Sequence, residues 1–261
     1  MILTCSTWCF QHLPEYADAA LPVREIRRLG LAPELWQNWA PDPACFDRAH
    51  WETWRRLAGG QPALSLHTRN QRERMFEEIE FLAFLGGRTL VVHPCVLSLP
   101  GHAEERPDLA FVRELAAAAR ARGVFLALEN IFGRAFLDRT LDGVATFDAQ
   151  GGLGICLDVG HAQLKRAEPR EAPVDLIRDY GRVLLHLHVH DVVGTRDHQP
   201  LGSGQTDYAA IAAALRGAGF SGTIALEIQC PDPLGMIAAG REFLARHFGA
   251  ALDTGAPGRR G

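Results

Sequence analysis

Two rhythms of apolar residues alternate along this chain. Short runs with period two read as strands: Ile2–Cys5, Pro33–Gln37, Ala63–Thr68, Thr89–Pro94, Val124–Asn130, Gly154–Val159, Val183–Asp191 and Thr223–Gln229. Between them lie stretches with apolar positions at 3.6 spacing, which predict helices over Arg72–Leu85, Leu109–Arg122, Tyr208–Ala218 and Pro233–His247. Gly86, Gly123, Gly181 and Gly219 stand just past such stretches, where a left-handed residue would stop the turn. Strands alternating with helices predict a parallel sheet. Eight βα units in 261 residues predict a single α/β domain closed into a (β/α)8 TIM barrel, with a doubly wound open sheet as the alternative.

Parity along the strands favours closure. Glu129 shares a face with Ala127 and Phe125, opposite Leu126 and Leu128. Asp158 goes with Cys156 and Gly154, Glu227 with Ala225 and Thr223, and His67 with Ser65 and Ala63. Large aliphatics would then face the helices, and small residues would line the inside. The connection from Asp191 to Asp207 is rich in glycine and polar groups and reads as a substrate-contacting loop, mobile in character. The domain is expected over residues 1–252, with 253–261 a disordered tail.

Composition narrows the classes. The net charge of −4 lacks the footprint of a nucleic-acid binder. No apolar run is long enough for a membrane span, and the N-terminus reads as a first strand rather than a signal peptide. The six cysteines show no CxxC pair and no disulfide spacing, which suits a reducing cytoplasm. There is no GxSxG elbow, Walker loop or dinucleotide fingerprint.

The chemistry lies at strand ends. Glu129, Asp158 and Glu227 each close an apolar run, where an unpaired charge is costly to bury. Three carboxylates converging without a cation would repel one another, so a shared divalent ion is expected. His186, His188 and His190 share one parity, and any of them can supply an imidazole. Oxygen ligands plus one nitrogen suit Mn2+, with Zn2+, Co2+ or Mg2+ as alternatives and a second ion left open. His161, three residues after Asp158, can turn back over the site across Gly160. His67 and His93 end inward-facing strands, and His198 and Arg196 lie in the long loop; each has a substrate-binding or a purely local reading. Trp8, Trp36 and Trp39 follow the first two strands, as an apolar wall or as core. Glu34 either supports the site from behind or pairs with an arginine.

Leu-Glu129-Asn130, Asp158-Val-Gly-His161, His188-Val-His-Asp191, His198-Gln-Pro-Leu-Gly202-Ser-Gly204 and Leu-Glu227 together resemble the xylose-isomerase-like barrel superfamily, which holds sugar-phosphate isomerases and epimerases and endonuclease IV. The resemblance spans essentially the whole chain. It implies a single-ion set of Glu129, Asp158, His188 and Glu227, with Glu129 and Glu227 also moving protons and His161 binding substrate. The implied activity is isomerisation or epimerisation of a small sugar, sugar phosphate, polyol or keto acid through a metal-stabilised cis-enediolate. A homodimer is compatible with this reading. The competing implication is a zinc phosphodiesterase or abasic-site endonuclease, in which His67, His93, His161 and His198 would hold further zinc ions. Arg196 stands where that branch has an aspartate ligand, which argues against a complete three-zinc site.

Overall fold

The computed structural model describes residues 1–61, 63–102, 106–144, 152–165, 168 and 170–254. The strands are β1 (Ile2–Ser6), β2 (Ala32–Trp36), β3 (Ser65–His67), β4 (Thr89–Val92), β5 (Phe125–Glu129), β6 (Leu153–Asp158), β7 (Leu184–Val189), β8 (Asp191–Val193), β9 (Arg196–Gln199) and β10 (Thr223–Leu226). Eight of them form one closed ring in the order β1-β10-β7-β6-β5-β4-β3-β2, and every neighbouring pair is parallel. This is the (β/α)8 barrel that the alternating pattern predicts, and each expected strand contributes one stave.

Parity sorts the core as expected. Leu126, Leu128, Ile155, Leu157, Ile224 and Leu226 are buried in the layer between sheet and helices. Val91, Ala127 and Cys156 form a separate buried cluster, with Leu185 packed against it. A bulge sits in the β6–β7 pairing, where Ile155 faces Leu184 but Cys156 already faces His186. It leaves Leu185 as the extra residue on β7. Past the bulge, His186 and His188 fall on the inner face.

Three details depart from the sequence reading. The stretch Val183–Asp191 is two strands, because β8 folds back antiparallel onto β9. The long connection is therefore a hairpin, and it is pinned. The buried Asp191 carboxylate accepts the N–H groups of Gly202 and Gly204 at 3.0 and 2.9 Å and the Thr206 hydroxyl at 2.7 Å. Gly181 is not left-handed; its φ is −52°, and a Cβ there would lie 2.7 Å from the Cβ of Ala218, so the glycine serves a close helix approach. Asp253, placed in the expected tail, pairs with the start of β1 through Leu3 N–H (2.8 Å) and the Met1 carbonyl (2.9 Å). Residues 255–261 of that tail lie outside the described residues.

Candidate metal centre and active site

The C-terminal ends of four staves deliver the acidic groups and one imidazole. Glu129 is the last residue of β5 and Asp158 the last of β6, His188 lies near the end of β7, and Glu227 directly follows β10. All four are buried. His188 Nδ1 is their common point, 3.3 Å from Glu227 Oε2, 3.8 Å from Asp158 Oδ2 and 4.0 Å from Glu129 Oε2. It has no hydrogen-bond partner. Atoms that share one ion at bond lengths of about 2.1 Å lie roughly 3.0–3.5 Å apart. Ligand atoms of Glu129, Asp158 and His188 lie within 4.8 Å of one another, and so do those of Glu34, His188 and Glu227, so His188 joins the two groups. A buried nitrogen without a hydrogen-bond partner beside these carboxylates fits a divalent cation.

Local sequence explains the placement of Asp158. Its backbone N–H donates to the Asn130 side-chain oxygen at 2.6 Å, and the Asn130 amide donates back to its carbonyl at 3.0 Å. Asp158 also caps the short helix Val159–Leu164, its Oδ1 accepting the His161 N–H at 2.7 Å. The His190 ring crosses directly over Gly160, where any Cβ would overlap it. Because His190 Nδ1 accepts the His198 N–H at 2.8 Å, its proton is on Nε2, 3.0 Å from Asp158 Oδ1. The hairpin thus reaches Asp158 through His198 and His190.

A second group abuts the first. His93 Nε2 and His67 Nε2 lie 3.0 and 3.4 Å from Glu129 Oε2, and His161 Nδ1 lies 3.1 Å from Glu129 Oε1. Above them opens a cavity of about 190 Å3 lined by Glu129, Glu227, His67, His93, His161, His198, Trp8, Trp36 and Ile131. His198 packs on Trp8 with ring centroids 4.2 Å apart, and His67 on Trp36 at 4.3 Å.

Electrostatics differ across the site. Burial would raise the Glu129 carboxyl, but His93, His161 and His67 outweigh it and hold it well below the usual range. Burial would raise Asp158 likewise, and His161 and His190 pull it down instead. Glu227 goes the other way, since burial and the carboxylates of Glu34, Glu129 and Asp158 lift it to about 7 against His188. Burial works against a charged His161, yet Asp158 and Glu129 lift it to about 10. Burial lowers His67 and His198 each to about 4, helped by His93 and His190 respectively.

Of the residues singled out from sequence, Glu129, Glu227, His67, His93, His161, His198 and Trp8 line the cavity; Asp158 and His188 are fully buried and do not line it, but lie beside His161 and Glu227, which do. Arg196 is exposed on β9 and is not among the lining residues. Trp39 is core, its indole bound to the Ala17 carbonyl at 3.0 Å. Trp36 is wall, a choice its sequence left open. Ile131 carried no sequence signal as a lining residue. Among the described residues Glu34 meets two imidazoles and no arginine: Oε2 is 2.9 Å from His186 Nε2, and Oε1 is 3.2 Å from His188 Nε2.

A closed parallel barrel whose C-terminal mouth gathers three carboxylates and several histidines around one cavity defines a class, the (β/α)8 barrels with a polar site at the ends of their strands. Residues 60–247 match the model of the xylose isomerase-like TIM barrels, and the chain belongs to that family. Among solved structures it is similar to an L-ribulose 3-epimerase (17% identity, TM-score 0.70, 95% of each chain covered). It is also similar to a D-allulose 3-epimerase from Methylomonas sp. in complex with D-allulose (18% identity, TM-score 0.68, covering 94% of this chain and 96% of that one). A Thermus thermophilus protein soaked with ZnCl2 is similar at 24% identity and TM-score 0.65, with 95% of this chain and 98% of that one covered. No curated protein sequence matches the chain.

Proposed function

We propose that this protein is a metal-dependent isomerase or epimerase of a small sugar-like substrate. The observation that carries the reading is the unpartnered Nδ1 of His188 facing Glu129, Asp158 and Glu227 beneath a cavity with indole walls. These four residues would hold the ion, which supplies positive charge to stabilise negative charge developing on substrate oxygen. Glu129 and Glu227 flank the cavity from strands three places apart in the ring of eight. One glutamate takes a proton from the carbon next to the substrate carbonyl, and either glutamate returns one. Return to the same carbon from the opposite face gives an epimer; return to the neighbouring carbon exchanges aldose for ketose. His161 and His93, both at the cavity, orient hydroxyl groups, and Trp8 and Trp36 offer ring faces to the C–H side of a sugar. The epimerases among the similar structures support this reading.

The test is solvent exchange. In D2O with Mn2+, the protein is expected to place deuterium next to the carbonyl of at least one member of a ketose panel, and Glu227→Gln to lower that rate by a hundredfold or more, on the order of one lost general acid–base group. A Glu227→Gln protein with undiminished exchange defeats the proposal.

A second reading draws on the His67–His93–Glu129 group, whose ligand atoms lie within 4.8 Å of one another. Such a group suits a second ion bridged by Glu129, as in a zinc phosphodiesterase. Elemental analysis separates the readings, near one ion per chain for the first and two or more for the second.

A further inference from the structure

Glu34 has no solvent-exposed surface and stands inside the barrel on β2, three places from β7 around the ring. A lone carboxylate at such a place costs several kcal/mol unless it is paired. Its ionic partners among the described residues are two histidines on β7. Its Oε2 is occupied, accepting the Ser65 hydroxyl at 3.0 Å and lying 2.9 Å from His186 Nε2. His186 in turn is tied at Nδ1 to the Thr223 hydroxyl at 2.5 Å. The Ser65 hydroxyl fixes the carboxylate at Oε2, and Oε1 is left facing His188 Nε2 at 3.2 Å. Oε1, His188 Nε2 and His186 Nε2 are all buried without an aligned hydrogen-bond partner. Buried polar atoms are rarely left unsatisfied, so an acceptor and a ring nitrogen 3.2 Å apart call for an explanation.

We propose that Glu34 is the positioning residue of the metal centre: its Oε1 accepts the hydrogen bond of the His188 Nε2–H and so holds the ring with Nδ1 toward Glu129, Asp158 and Glu227. An imidazole can bind an ion through either nitrogen, and the partner of the other nitrogen decides which. A ring turned over would present Nε2 to the ion and Nδ1 to Glu34. A charged acceptor on the far side also makes the ligating nitrogen more basic. The inference depends on the four-residue ion site proposed above. It concerns how the protein holds the ion and says nothing of the substrate.

Zn2+ affinity of the full-length protein is measured by competition with a chromophoric chelator. Glu34→Gln, which keeps the shape and removes the charge, is expected to weaken Zn2+ binding 10- to 100-fold. Histidine-selective 15N NMR of the Zn2+-loaded wild-type protein is expected to show His188 protonated at Nε2, with that proton shifted downfield as on a carboxylate; the shift moves back in Glu34→Gln. A purely structural Glu34 would lower the melting temperature and leave that resonance in place. Unchanged Zn2+ affinity in folded Glu34→Gln overturns the proposal. So does a wild-type His188 whose Nε2 carries no proton, as when Nε2, His186 and Cys156 together hold an ion of their own. If Glu34→Gln does not fold, the wild-type resonance alone decides. A protein that binds no Zn2+ at all defeats the parent reading of the ion site instead, which is a distinguishable result.

Discussion

At the residue scale the chain buries several carboxyls, and the direction of each shift shows whether burial or the neighbours prevail. Glu78 shows this away from the active site. Its carboxylate is buried, accepts the Arg69 N–H at 3.0 Å and the Thr68 hydroxyl at 2.7 Å, and is lifted by burial from 4.5 to about 7. A carboxyl raised on folding stabilises the protein fully below its unfolded value and loses that contribution as pH rises through the folded one. Stability from Glu78 should therefore fall between about pH 4.5 and about pH 7 and then level off. Glu78→Gln is expected to remove this slope and to gain about 1–3 kcal/mol on the wild type near pH 8. Urea unfolding at several pH values checks it; parallel stability profiles for the two proteins would refute the assignment. The residue scale is also where sequence is most ambiguous. Glu129, Asp158 and Glu227 could be picked out because each ends an apolar run. Trp36 and Trp39 look alike in sequence, yet one is cavity wall and the other core. The partners of Glu34 could not be read at all, because contact across the ring depends on how far the strands are staggered when the barrel closes.

At the scale of elements, the period-two runs translate directly into staves, and the small inward residues Ala127 and Cys156 pack with Val91 and Leu185 inside the barrel. The β8–β9 hairpin escaped notice for a physical reason. Val192 and Val193 are its only consecutive apolar residues, and Arg196–Gln199 is wholly polar, so neither strand shows alternation. It is held instead by polar contacts, with His198 bound to His190, Glu227 and Gln229 and the buried Asp191 carboxylate clamping Gly202, Gly204 and Thr206. Asp191→Ala is expected to free the hairpin and its base, raising amide exchange over residues 196–206 about tenfold or more while the barrel strands keep their protection. Hydrogen exchange read by mass spectrometry tests this, and equal protection in both proteins would contradict the clamp. The hairpin carries His198, whose N–H fixes the His190 ring against Asp158, so looser exchange there should accompany a looser site.

At the scale of the whole molecule, the proposed ion site would tie together staves that are distant in sequence. Glu129, Asp158, His188 and Glu227 belong to four βα units, and an ion held among them would crosslink the end of the ring to its middle. Binding to the folded state alone adds about 2.7 kcal/mol at a hundredfold excess over the dissociation constant. For a chain of this size that corresponds to about 5–10 °C in melting temperature. Chelator-treated protein should melt lower by this margin and recover when Mn2+ is added back; an identical melt with and without ion would contradict it. The fold at this scale was legible because eight repeats of one unit admit few arrangements. The substrate was not, since Trp8, Trp36, Ile131 and His198 reach the cavity from four separate βα units.

The most direct test is anomalous diffraction from crystals of the full-length protein grown with Mn2+. The account predicts a manganese peak within bonding distance of His188 Nδ1 and of a carboxylate oxygen from each of Glu129, Asp158 and Glu227. A peak only elsewhere, or no peak with those four side chains as described, would contradict it.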